Sequence, residues 1–198
     1  LGSCMKLWQK ENNLDKEVES FTVGNDFLFD QQLVKFDCFV SIAHSKLLLK
    51  MGVLSKKEQQ QIARELKKII SLDKKGKFVL KQSDEDVHTK IENHLSKVLG
   101  GAGKKIHTFR SRNDQVVACL RLYSKENLFL VQKETLALIA LLKRFESQKK
   151  SVVMPGYTHM QRAMPSTVGL WAGSFVESLK LDLNLLKLAV VVNNENPL

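Results

Sequence analysis

The chain has 198 residues, 43% of them apolar, with ten Gly, three Pro and a formal net charge of +10. That length can bury one sizeable core, or a small domain plus part of another, and the composition excludes a disordered or fibrous chain. The few Gly and Pro argue against a β-sandwich or a loop-rich scaffold. Cys4, Cys38 and Cys119 are odd in number, far apart and free of C-x-x-C spacing. They fit neither a disulfide framework nor a structural zinc site, so a reducing cytoplasm is the expected compartment. No charged start followed by an apolar core marks a signal peptide. The most apolar stretch, residues 183–192, is broken by Asn184 and Lys187 and is too short to span a bilayer, so no membrane partner is expected. Residues 1–4, with Leu1-Gly2-Ser3 ahead of Met5, read as an expression remnant outside the fold.

The positive charge has two readings. One is a nucleic acid or another anionic partner. The other is solvation of helix faces by the scattered pairs Lys56-Lys57, Lys67-Lys68, Lys74-Lys75, Lys104-Lys105 and Lys149-Lys150. No aromatic residues are interleaved with these pairs to stack on bases, which favours the second reading and no nucleic-acid partner.

Helical periodicity dominates in chain order. Across residues 30–51, Leu33, Phe36, Val40, Ala43, Leu47 and Leu48 recur at three- and four-residue steps, and Gly52 stands at a helix C-cap. Ser55-Lys56-Lys57-Glu58 is a capping box, continued by Ile62, Leu66, Ile69 and Ile70. Ser83-Asp84-Glu85-Asp86 reads as a second capping box, opening a helix with Val87, Ile91, Leu95 and Val98 on one face. Gly100, Gly101 and Gly103 break the pattern. Residues 116 to about 147 then keep helical periodicity without a stop signal, longer than a small globule needs, which implies a bundle or an intersubunit surface. Pro155-Gly156 reads as a turn and Pro165-Ser166 as the first turn of another long helix, with Val168, Trp171, Phe175, Leu179, Leu183, Leu186 and Val190 as its apolar stripe. No strand alternation stands out. The fold class is all-α. Two long helices with such stripes cannot complete a bundle alone, so other residues or other subunits must finish it.

Three polar constellations carry chemistry. In Ile106-His107-Thr108-Phe109-Arg110-Ser111-Arg112-Asn113-Asp114-Gln115 a glycine-rich break meets the start of the longest helix. Asn113 or Asp114 suits the N-cap, and a helix N-terminus beside Arg110 and Arg112 suits a carboxylate or phosphate. The alternative is that both arginines pair with neighbouring helices, and spacing alone does not decide between the two. Met154-Pro155-Gly156-Tyr157-Thr158-His159-Met160-Gln161-Arg162 places a hydroxyl and a histidine at a turn. A lone His is more often structural, but Thr158, Gln161 and Arg162 crowd around this one, and His is the usual acid or base near neutral pH. In Ser83-Asp84-Glu85-Asp86-Val87-His88, carboxylates at Glu85 and Glu92 share a helical face with His88 and should favour its charged form. The plain account of that segment is a cap plus a surface His, and no ligand set for a metal is apparent.

Taken together, Ser83-Asp84-Glu85-Asp86-Val87-His88, Arg110-Ser111-Arg112-Asn113-Asp114-Gln115-Val116 and Pro155-Gly156-Tyr157-Thr158-His159 resemble the argininosuccinate lyases in order and spacing. The resemblance runs from about Met5 through Asn196-Pro197-Leu198, and is more specific than membership of the fumarase and aspartase superfamily. It includes the δ-crystallins, eye-lens relatives of the enzyme.

The resemblance implies an N-terminal helical domain over residues 5–109, followed over residues 110–198 by the first long helices of a central helical bundle. It implies a cytoplasmic homotetramer of arginine biosynthesis, with each active site assembled from several subunits. The reaction would be β-elimination of argininosuccinate to arginine and fumarate, without a cofactor or metal. By resemblance Ser111, Arg112, Asn113 and Thr158 contact substrate, His159 is the catalytic histidine, and Asp86, His88 and Gln161 are active-site neighbours. The family's Gly-Ser-Ser loop, with its proposed catalytic serine and a substrate-binding lysine, is not within these residues, so the 198-residue polypeptide alone is expected to be inactive.

The chain departs from the family at three places. Gly24, within Phe21-Thr22-Val23-Gly24-Asn25-Asp26, stands near a family serine, Phe109 replaces a usual glycine before Arg-Ser-Arg, and Cys119 replaces an acidic residue. Gly24 and Phe109 both alter the substrate cradle, which leaves a catalytically silent δ-crystallin-like homologue, or another lyase of the superfamily, as the alternative.

Overall fold

In the computed structural model the structure describes Phe21 and residues 24–195. The expected remnant at residues 1–4, Thr22 and Val23 of the early loop, and Asn196-Pro197-Leu198 lie outside the described residues. The elements are α1 (Asp26–Asp30), α2 (Val34–Lys50), α3 (Lys56–Lys74), α4 (Val87–Leu99), α5 (Gly101–Lys104), α6 (Arg112–Lys149), a hairpin of β1 (Val153–Thr158) and β2 (Gln161–Thr167), and α7 (Val168–Asn193). The all-α class holds, with one small antiparallel sheet. The chain divides into two compact units, one running through Tyr123 and the other Ser124–Glu195.

In the first unit, Ser55 opens α3 as the spacing predicts. Its hydroxyl accepts from the Glu58 N–H at 3.2 Å, and the Glu58 carboxylate accepts from the Ser55 N–H at 2.7 Å. The apolar face of α3 (Ile62, Leu66, Ile69) meets Val87, Ile91 and Leu95 of α4 in one core. Val98 is exposed.

The buried stripe of α2 differs from the predicted one. Leu33, Phe36 and Leu48 are buried, but Ala43 and Leu47 are exposed, while Asp37, Ser41 and Ser45 face inward beside Val34 and Cys38. The apolar pattern mis-phases this helix because three of its inward positions are polar. Gln31 pins the loop after α3, donating to Asp73 Oδ1 at 2.8 Å and to the Phe78 carbonyl at 3.0 Å, and accepting from the Leu80 N–H at 2.8 Å. At the end of α4, a Cβ on Gly103 would lie 2.3 Å from the Leu95 carbonyl oxygen, so only glycine lets α5 cross there.

Two predicted boundaries move. The helix expected to open at Ser83 begins at Val87, with Asp86 as its N-cap accepting from the Thr89 N–H at 2.7 Å. Asp84 instead closes its own short turn, accepting from the Lys81 N–H at 2.8 Å, and Glu85 reverses the chain at φ 70°. Pro155-Gly156 and Pro165-Ser166, read as a turn and a helix start, lie in strands paired Val153↔Thr167, Pro155↔Pro165 and Thr158↔Gln161. A two-stranded ribbon consists of edges, where a proline lacking an N–H does little harm. Thr167 caps α7, its hydroxyl accepting from the Leu170 N–H at 3.0 Å.

The second unit holds a helical pair joined by the hairpin. Val176 and Leu183 of α7 pack with Ile139 of α6, flanked by Leu142, Leu179 and Leu186. Trp171 and Phe175, expected within the inward stripe, lie half-exposed in an edge-to-face contact with centroids 5.2 Å apart. Leu130 and Leu141 on α6 are exposed, as are Leu181, Leu185 and Val191 on α7, an apolar surface that this helical pair does not cover.

Gly169 brings α7 against the end of α6, where an added Cβ would sit 2.4 Å from Lys150 Cα and 3.0 Å from the Glu146 carbonyl oxygen. Both atoms are backbone and cannot rotate away. Gly169→Ala is expected to destabilise this pair by about 1–3 kcal/mol, seen as a lower thermal midpoint. An unchanged midpoint would show that the approach is looser.

Candidate active site

The starts of α4 and α6 meet through charge. Asp86 uses one carboxylate oxygen to cap α4 and the other to accept from Arg112 Nη1 at 2.5 Å. The second nitrogen of that guanidinium, Nη2, is buried without a partner among the described residues. At the start of α6 the predicted cap moves back from Asn113 or Asp114 to Ser111. Its hydroxyl accepts from the Asn113 N–H at 3.2 Å, and its N–H donates to Asp114 Oδ2 at 2.9 Å. Ser111 and Asn113 are exposed. Capping favours Ser111 because its neighbour three residues on returns the hydrogen bond.

The two arginines separate. Arg110 is turned inward, donating from Nη1 to Ser41 Oγ at 3.2 Å, with Nη2 3.8 Å from Glu92. For Arg110 the pairing reading holds. Burial lowers its pKa, against the opposing pull of Asp37 and Glu92. Arg112 is also paired, through Asp86, and its Nη2 stands without a partner among the described residues, beside a helix N-terminus. Phe109, between Thr108 and Arg110, is exposed at φ 59°, a backbone conformation that bulky side chains rarely adopt.

His88, one of the expected active-site neighbours, is buried rather than on the surface. Its Nδ1 donates to Asp37 Oδ1 at 2.9 Å, and the same oxygen accepts from Gln115 Nε2 at 2.6 Å. Burial opposes its charge, but the hydrogen bond to Asp37 and the charges of Asp37, Asp86 and Asp30 outweigh that and raise its pKa. The expected direction is right, and the carboxylates responsible are not Glu85 and Glu92. Glu92 instead pairs with His107 Nδ1 at 3.1 Å. Asp30 caps α4 from outside, accepting from the Val87 N–H at 3.0 Å. His44 donates from Nε2 to the Thr108 carbonyl at 2.9 Å, and burial lowers its pKa.

Sequence reasoning missed Asp37 and Asp30 and gave Gln115 no role. The available signal was a carboxylate at Asp37, four residues before Ser41 and eight before Ser45, on one side of an otherwise apolar helix.

Thr158, His159 and Gln161 belong to the second unit, and the segment is a hairpin tip rather than a turn entering a helix. Thr158 pairs with Gln161, leaving His159 and Met160 as a two-residue loop with φ 48° and 62°. Positive φ at both positions is the type I′ geometry that glycine and asparagine favour. All four residues are exposed. A left-handed conformation costs an L side chain about 1–2 kcal/mol. Met160→Gly is therefore expected to raise hairpin stability by about 1 kcal/mol, read as a higher thermal midpoint. A lower midpoint would mean that Met160 makes a contact worth more than the relief.

Among the described residues no cluster of three or more His, Cys, Asp or Glu could hold a metal ion, and no helix is long and apolar enough to cross a membrane. Cys38 and Cys119 are free thiols whose pKa values burial pushes up.

The structure is similar to that of fumarate lyase:delta crystallin from Brucella melitensis, at TM-score 0.69 and 20% identity over 91% of this chain and 47% of that one. It is also similar to an EDDS lyase variant with bound fumarate, at TM-score 0.66 and 22% identity over 90% and 33% of the two chains. At such identities the likeness is one of fold.

A family model described as "Lyase" matches residues 5–197, and the chain belongs to that family. Curated relatives include the argininosuccinate lyase of Thermotoga neapolitana, 42% identical over 98% of this chain and 48% of its own length. That of Bacteroides fragilis is 44% identical over 98% and 44%. The chain thus spans about half the length of the curated relatives it matches.

Proposed function

We propose that the full-length protein is an argininosuccinate lyase of arginine biosynthesis, acting in the cytoplasm as a homotetramer. The observation that carries the reading is the Asp86–Arg112 pair at the joined starts of α4 and α6, where a free guanidinium nitrogen stands beside Ser111 and Asn113. The identity of 42–44% to argininosuccinate lyases supports the substrate.

The reaction breaks the bond between a guanidino nitrogen and the succinyl carbon. A base removes a proton from the adjacent carbon, the neighbouring carboxylate takes up the developing charge, and an acid returns a proton to the departing guanidino group. Arg112, Ser111, Asn113 and the N–H groups of the α6 start hold substrate carboxylate, with Asp86 fixing the direction of the guanidinium. Thr158 is a further contact, and His159 acts as the acid or charge partner, with Gln161 its neighbour. No cofactor is required for such an elimination.

Residues 110–198 supply the first helices of the central bundle, and the exposed leucines of α6 and α7 are its contact surface. Incubating the full-length protein with argininosuccinate while following the ultraviolet absorbance of fumarate tests the activity. A steady rise is expected, and none at high protein concentration would overturn it in favour of a silent homologue, the reading to which exposed Phe109 lends weight.

A further inference from the structure

We infer that Asp37 is a positioning residue, which sets the spacing of the two helix starts on which Arg112 and Asp86 meet. The inference rests on the reading of Ser111, Arg112 and Asn113 as substrate contacts. Asp37 lies on α2, far from all of them in sequence, and is fully buried, as are His88 and Gln115 to within 3%. One oxygen, Oδ1, accepts from His88 Nδ1 at 2.9 Å and from Gln115 Nε2 at 2.6 Å. His88 stands two residues after Asp86, and Gln115 three residues after Arg112, in the first turn of α6. A single carboxylate oxygen therefore ties the first turn of α4 to the first turn of α6, the two turns that the Asp86–Arg112 pair also joins.

The next turn of α2 adds to the clamp. Ser41, four residues on from Asp37, accepts from Arg110 Nη1 at 3.2 Å, holding the residue that leads into Ser111. Around these contacts the core is apolar, with Val34, Cys38, Leu48 and Ile91 fully or almost fully buried. A carboxylate is costly in such surroundings, and replacing a buried ion pair by apolar groups is often neutral or stabilising. Stability alone does not account for an Asp here. What the carboxylate adds is direction: hydrogen bonds at fixed angles to two helices, which apolar packing cannot specify.

The expectation differs from that of a merely structural residue. If Asp37 sets the spacing, loosening it displaces Arg112, Ser111 and Asn113 together and weakens substrate binding, leaving the chemistry on the second unit's His159 nearly intact. Uniform loss of binding raises KM with little change in kcat.

The test uses the full-length protein with Asp37→Asn, Gln115→Met and, as a remote core control, Leu66→Ala. Asp37→Asn and Gln115→Met should each raise KM for argininosuccinate about tenfold with kcat within about threefold. Leu66→Ala should lower the thermal midpoint and leave KM unchanged. Should Asp37→Asn fail to fold, Gln115→Met still cuts one arm of the clamp. Hydrogen exchange supplies a readout that does not depend on turnover: amides of residues 86–89 and 111–115 should exchange faster in both clamp variants, with residues 56–74 unaffected. If the wild type makes no fumarate, the functional reading falls, and the exchange pattern alone decides on Asp37. Unchanged exchange at both segments, an unchanged KM, or an equal KM rise in Leu66→Ala would overturn the inference.

Discussion

In the full-length protein, His159→Ala is expected to lower kcat for argininosuccinate by about 100- to 10,000-fold with almost no loss of stability. The two halves of this expectation have separate causes. The imidazole is exposed at the tip of a hairpin, so truncating it opens no cavity, and surface changes of this kind usually stay within about 0.5 kcal/mol. Its chemistry, in the proposed reaction, is the protonation or charge stabilisation of the departing guanidino group, a contribution that acts in the transition state. Such a loss appears in kcat.

His159→Gly sharpens the test. Glycine relieves the backbone at φ 48° and should stabilise the hairpin, yet activity should fall as far as with alanine. A variant that is more stable and inactive is the mark of a residue kept at a strained position for its function. Steady-state kinetics beside thermal unfolding would read both. Near wild-type turnover in His159→Ala would remove the residue from the chemistry.

The second large effect concerns stability. His88→Ala leaves Asp37 in the core with Gln115 as its remaining donor, and removing one partner of a buried pair costs about 3–5 kcal/mol. The cost should depend on pH in a definite direction. The folded pKa of His88 is raised above its ordinary value of 6.5. Its charge-dependent stabilisation is therefore fully present below pH about 6.5 and is lost as pH rises through the higher folded value. Chemical denaturation at a series of pH values should show the gap between wild type and His88→Ala narrowing as the solution becomes more alkaline. A gap that widened would mean that His88 is neutral when folded.

These effects lie where the sequence was least informative. The cap of α3 is readable because Ser55 and Glu58 are three residues apart and need only each other. The apolar faces of α3 and α4 are readable because Ile62, Leu66, Ile69 and Val87, Ile91, Leu95 keep a clean period. On α2 the period misleads, since Asp37, Ser41 and Ser45 occupy inward positions and Leu47 an outward one. The contacts that explain them bridge 51 and 78 residues of chain, beyond the reach of any local pattern.

The hairpin was hidden for another reason. Pro155, Gly156 and Pro165 are turn and breaker residues elsewhere, and they are tolerated here because a two-stranded ribbon has no central strand. Arg110, Arg112 and an N-cap at Asn113 or Asp114 were legible through a glycine break followed by arginines at a helix start, whereas Ser111 entered only through the family resemblance. The partition between an inward Arg110 and a half-exposed Arg112 required the positions of Ser41, Glu92 and Asp86.

In the proposed reaction, Arg112 and its neighbours at the α6 start hold argininosuccinate for elimination. The most direct test is fumarate release by the full-length protein from argininosuccinate, compared with release from aspartate and from malate under the same conditions. Fumarate, with arginine in equal amount, is expected from argininosuccinate alone. Fumarate from aspartate or malate, with none from argininosuccinate, would contradict the proposed reaction.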